Sequence, residues 1–332
     1  MPTPPNGPTA RPFMPASPAT DFLRNRRAFT LVELLVAISV LMLLVLLLSS
    51  LFSQVNSAWS SSEGNFERRR SARALADFIG TEMQGALLPV EGIVTNGQGN
   101  LQFIVNPPST QVPADYRYAD AIFWQAPLAT ETSQGEIAEI GYFVKWVASA
   151  TQGERPVLCR FFVNPSVASA STTTANPDFL IYDPKPQAWL SQALLDKVAP
   201  ATKDQGYVGM FAENVVGLWA RCYGLDGTES PVAKNGAKFD SREGYDLNKG
   251  ATPADPRYLP ASVRISLAQV DSRSAARLGA AAASLKALTK SAKDAPDFLE
   301  KLNAAAKSSP PLAALLPGVR IYTTEIQLLN AR

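Results

Sequence analysis

The chain has 332 residues, 46% of them hydrophobic and 18% charged, enough material for one large core or two small ones. Histidine is absent, which excludes Ser-His and Cys-His nucleophile pairs, histidine general bases and histidine-containing zinc sites together. The formal net charge of +2 conceals a basic N-terminus: the first 28 residues hold Arg11, Arg24, Arg26 and Arg27 against Asp21 alone, and the near-neutral remainder argues against a strongly basic nucleic-acid-binding surface.

Residues 1–23 carry prolines at 2, 4, 5, 8, 12, 15 and 18, which opposes helix and sheet and reads as an extended, disposable leader. From Phe29 to Leu88 there is no proline, and Leu34 to Ser62 is uncharged; a bilayer needs about 20 apolar residues in helix, so this run is long enough to cross one. Arg24, Arg26 and Arg27 before it favour a cytoplasmic N-terminal end, with the body on the far side. A secretory signal peptide would need a small-residue cleavage site, and "SQVNSAW" offers no A-x-A pattern. A plain signal anchor accounts for the arginines and the apolar run but gives no reason for Glu33, a carboxylate inside an inserting helix that costs a few kcal/mol. Glu33 lies four residues after Phe29, on nearly the same helix face, where it can sense a charge at a newly made N-terminus.

The stretch "RRAFTLVELLVAIS" resembles the cleavage and methylation motif of type IV prepilins and type II secretion pseudopilins. That resemblance implies cutting by a prepilin peptidase between Ala28 and Phe29 and N-methylation of Phe29. It also implies pairing of Glu33 with the N-terminal amine of a neighbouring subunit during assembly. Ala28 departs from the glycine that the family normally places before the cut.

The helix is expected to continue over residues 63–88 as an amphipathic segment, with Leu75, Phe78, Ile79, Met83, Ala86 and Leu87 on one face and Arg68, Arg70, Arg73, Asp77 and Glu82 largely elsewhere. Beyond Pro89, strand-like runs begin at Leu101, Asp120, Ile140, Pro156, Asn214, Ser262 and Arg320, and Gly153 is placed to turn a hairpin. In "SVRISL" the apolar Val263, Ile265 and Leu267 alternate with Arg264 and Ser266. The expected fold is α+β and pilin-like: a long N-terminal membrane-spanning helix whose second half packs on an antiparallel sheet, within a β-rich domain over 89–332.

Cys159 and Cys222 both lie in strand-like text outside any CxxC arrangement; they are either two buried thiols or a mutual disulfide pair. The loop after β-like "WARCYG" holds Asp226, Glu229, Asp240, Glu243 and Asp246, whose spacing fits no EF-hand, so a solvated loop is weighed there against a calcium site. An alanine-rich insertion at about 272–316 suggests two helices broken near Pro296, with Leu278, Leu285, Leu288, Phe298, Leu299 and Leu302 facing the parent domain or a partner. No Walker A loop, dinucleotide fingerprint or serine elbow is present, and neither cofactor nor metal is expected.

"ENVVGLWARCYGLDG" followed by "YLPASVRISLAQVD" resembles the body of J-type minor pseudopilins, and the size resembles prepilin-like proteins of Verru/Chthon cassettes. Two function classes follow. One is a non-enzymatic structural subunit of a pilus-like or pseudopilus-like filament, whose partners are the prepilin peptidase, other pilin subunits, an inner-membrane assembly platform and the bilayer. The other is an extracytoplasmic enzyme or ligand-binding domain tethered by a signal anchor.

Overall fold

The computed structural model describes residues 30–87, 101–109, 112–130, 136–149, 153–164, 190, 195, 209–233, 235–241 and 259–331. The chain divides into two units, Met1–Ser60 and Ser61–Arg332. One helix, α1 (Leu31–Gln84), runs through the division. In the first unit its Leu31–Asn56 portion is 26 residues long, apolar and unburied. At 1.5 Å per residue this is about 39 Å, enough for a hydrocarbon core of about 30 Å.

In the second unit Ala72, Ala76, Ile79 and Met83 of α1 are buried, followed by Ala86 just past its end. Spacings of three and four put them on one stripe. The expected face is therefore displaced: Phe78 is 44% exposed, whereas Glu82 is buried. The reason is a specific partner for the carboxylate, described below.

Among the described residues nine strands follow, in two antiparallel sheets where the sequence suggested one. The six-stranded sheet has the order β5-β4-β3-β2-β1-β7, and the three-stranded sheet the order β6-β8-β9. These strands are β1 (Ile104–Val105), β2 (Ile122–Ala126), β3 (Ala138–Ser149), β4 (Gly153–Val163), β5 (Met210–Glu213), β6 (Val215–Tyr223), β7 (Phe239–Asp240), β8 (Ser262–Val270) and β9 (Val319–Gln327). Asn214 divides the sheets. Its φ of 61° puts it in the left-handed region, which asparagine tolerates better than most residues. Its N–H reaches Pro156 O in one sheet at 3.0 Å, while its carbonyl accepts from Val270 N in the other at 2.9 Å. The run read as beginning at Asn214 thus starts one residue later, in a different sheet from β5. The strand expected from Leu101 is reduced to two residues and ends at Asn106, also at positive φ. The β3–β4 hairpin closes at the pair Ser149↔Gly153, with Gly153 at φ 72°.

Strand alternation separates the cores. The α1 stripe packs with Phe103, Ile122, Trp124, Ile140, Tyr142 and Leu158 of the six-stranded region and with Leu218, Val263, Ile265, Leu267 and Ile326 of the three-stranded sheet. The other face of the larger sheet gathers Phe123, Phe143, Cys159 and Phe161 with Tyr116, Leu190 and Leu195. The other face of β6 and β8, through Val216, Trp219, Ala268 and Val270, is covered by the alanine-rich segment, whose Leu278, Leu285, Phe298 and Leu302 are fully buried. That segment holds four helices: α2 (Ser272–Ala275), α3 (Ala282–Ser291), α4 (Ala295–Ala306) and α5 (Pro310–Leu315). The break expected near Pro296 falls at residues 292–294, between α3 and α4, and Pro296 lies in the first turn of α4, where its missing N–H is no loss. The insertion leaves and rejoins the sheet at directly paired residues, Val270 and Val319.

Candidate functional site

The first turn of α1 carries the polar group that the sequence singles out. Thr30 precedes the helix, and its N–H and Oγ1 both donate to Glu33 Oε2 at 3.2 Å. Glu33 N–H donates back to Thr30 Oγ1, also at 3.2 Å. This is a reciprocal capping box, which satisfies two of the amides that a helix start leaves orphaned. The carboxylate also sits where the helix dipole favours negative charge. Around it Leu31, Val32, Leu34 and Leu35 are all more than half exposed, so the turn is a polar cap on an otherwise apolar rod. Thr30 was missed by the reading of the sequence, although "TLVE" before an apolar run is the T-x-x-E signature of such a cap. Ala28 and Phe29 lie outside the described residues.

A second polar group joins α1 to the larger sheet. Glu82 accepts from Tyr142 Oη and, through both carboxylate oxygens, from Arg160 Nε and Nη2. The Arg160 guanidinium lies 4.2 Å from the Phe162 ring centroid and 5.7 Å from that of Phe78. Trp124 Nε1 donates to the Glu82 carbonyl at 3.3 Å. Burial, reinforced by the hydrogen bond to Glu82, pushes the Tyr142 hydroxyl far above its usual range, so it remains a donor. Such an arrangement is a fixed, neutralised joint and offers no free group for chemistry.

The remaining candidates are dispersed. Cys159 on β4 and Cys222 on β6 are free, buried and in different cores. Burial raises the Cys159 thiol to about 12 and pushes Cys222 higher, which suppresses the reactive thiolate. Asp226 accepts from its own turn, at Thr228 N (3.0 Å) and Oγ1 (2.8 Å). Glu229 pairs with Arg221 at 3.2 Å. Asp240, on β7, accepts from Gln102 Nε2 at 2.8 Å and Asn235 Nδ2 at 2.7 Å. Glu243 and Asp246 lie outside the described residues. Among the described residues no three acidic, cysteine or histidine side chains converge as a metal site would require.

Residues 23–49 match the family described as the prokaryotic N-terminal methylation motif. No curated protein and no solved structure matches the chain. The matched segment contains Phe29, the Thr30–Glu33 cap and most of the apolar span, so the motif, the helix start and the exposed apolar rod coincide. Over these residues the chain is similar to type IV prepilins and pseudopilins, whose N-terminal methylation motif it carries.

Proposed function

We propose that the chain is a structural subunit, a minor pilin or pseudopilin, of a type IV pilus-like or type II secretion-like filament. The observation that carries this reading is the methylation motif placed directly on an unburied 26-residue apolar helix. A prepilin peptidase would cut between Ala28 and Phe29 and methylate Phe29. The apolar helix then holds the protein in the bacterial inner membrane as a single span, with the domain in the periplasm, until an assembly platform adds it to other pilin subunits. Glu33 is the group that meets a neighbour's N-terminal amine, a charge pair formed where water cannot compete. Sequencing of the mature N-terminus by mass spectrometry tests it in cells with a working prepilin peptidase. A chain beginning at methylated Phe29 is expected, and retention of residues 1–28 contradicts it.

The alternative, a signal-anchored extracytoplasmic enzyme or ligand-binding domain, is favoured by one observation. The capping box gives Glu33 a role within its own helix, so the carboxylate does not require a second subunit. In that case the leader stays attached and no filament component co-purifies.

A further inference from the structure

Glu139 stands on β3 opposite Gln125 of β2 and Val163 of β4, on the face of the larger sheet directed away from α1. It is completely buried, and among the described residues neither carboxylate oxygen has a hydrogen-bond partner. Its neighbours across the sheet are engaged with one another. Gln125 Oε1 accepts from Gln102 N at 2.6 Å, and Gln102 Nε2 donates to Asp240. One step along the same face, Gly141 lies under the Phe123 ring so closely that a Cβ there would meet Phe123 Cδ1 at 2.2 Å. Phe161, opposite Gly141, packs edge-on against Phe123 at 5.6 Å. The carboxyl group therefore ends a polar row against an aromatic wall.

An ionised carboxylate in that position has lost water and gained no donor, which is among the costliest arrangements in a protein interior. Among the described residues, the titratable and charged groups on the same face give it no relief. Lys145 is six residues along β3, about 20 Å away at strand spacing, and lies over the Tyr116 ring. Asp240 is held by Gln102 and Asn235, Cys159 stands opposite Phe143, and Arg155 stands opposite Val147 towards the hairpin end. Consistent with this geometry, burial pushes the Glu139 carboxyl well above the usual carboxylate range.

We propose that Glu139 is a protonation-gated latch on the outer face of the larger sheet. As a neutral acid it is compatible with Leu190 and Leu195 packing beside Phe123, Phe143 and Phe161; once ionised it draws in water and loosens that packing. The folded pKa is raised, so the latch contributes fully below the unfolded carboxylate value of about 4.3. It is lost progressively as pH rises through the folded value.

Two measurements on the full chain in detergent test this. Infrared difference spectra of wild type against Glu139→Gln at neutral pH should show a protonated-carboxyl band in the wild type only; the absence of that band overturns the proposal. Hydrogen exchange of wild type, normalised at each pH to Glu139→Gln or, if that variant does not fold, Glu139→Met, should accelerate in β2–β4 by up to tenfold per pH unit above the onset, and leave β6, β8 and β9 unchanged. A ratio independent of pH, or one that changes equally in both sheets, overturns it.

Discussion

Glu82 on α1 and Arg160 on β4 meet with both oxygens of the carboxylate engaged, and a tyrosine and two aromatic rings enclose the pair. The joint fixes which face of the helix meets the sheet, because a rotation that hid Phe78 would carry Glu82 away from its donors.

Removing one partner should therefore cost more than removing both. Glu82→Ala leaves Arg160 without its counter-charge and Tyr142 without its acceptor, an expected loss of roughly 2–4 kcal/mol. Adding Arg160→Met should recover part of it. Denaturant midpoints of the solubilised chain read both, and a wild-type midpoint for Glu82→Ala would contradict the account.

The Thr30–Glu33 cap allows helix capping and intersubunit charge to be separated. Glu33→Gln retains an acceptor at the third helical position, so the box survives without the charge; Glu33→Ala removes both, and Thr30→Val leaves only the charge. If Glu33 serves assembly, Glu33→Gln should fail to co-purify with filament partners while accumulating normally in the membrane. If it serves only as a cap, Glu33→Gln should behave as wild type, while Thr30→Val and Glu33→Ala fray the first turn, at about 1 kcal/mol, in amide exchange.

Asp294 has two tasks: its side chain accepts from Asp297 N at 2.7 Å to cap α4, and it pairs with Arg221 of β6. Asp294→Asn keeps the cap and loses the charge; Asp294→Ala loses both. Protection of α4 amides should fall slightly in the first and by about a further 1 kcal/mol in the second. Equal effects would show that capping contributes nothing.

Cys159 and Cys222 predict an alkaline limit. Their folded pKa values are raised by burial, so the stabilisation is intact below the unfolded thiol value of about 8.5. It is lost as pH rises towards the folded values, by about 1.4 kcal/mol per unit for each cysteine. A Cys159→Ala/Cys222→Ala chain, although less stable at pH 7, should show the shallower decline between pH 9 and 11. Thiol alkylation of the wild type should require unfolding; rapid labelling of the native chain would refute the burial.

The N-terminal helix and most of the strands were legible because their signals are local. Twenty-odd apolar residues and the alternation in "SVRISL" each identify an element without knowledge of its neighbours, and β8 occupies Ser262–Val270 as read. The division into two sheets was not legible, since it turns on the left-handed Asn214 and on which strands its two hydrogen bonds reach. Nor was Glu82: a glutamate on a helix reads as solvated unless the tyrosine and arginine that receive it, 60 and 78 residues later, are known to converge. The cap at Thr30 was legible in "TLVE" and was overshadowed by the intermolecular reading of the same glutamate.

Val270 and Val319, the pair that brackets the alanine-rich helices, show that this segment is a graft on a hairpin. A short turn could join β8 to β9 without moving either strand, so topology leaves the segment dispensable and free to vary in length. Energetics do not, because its removal would bare Val216, Trp219, Ala268 and Val270 to water. Any shortened form must therefore change those sheet residues too, which ties the history of the graft to that of the sheet beneath it.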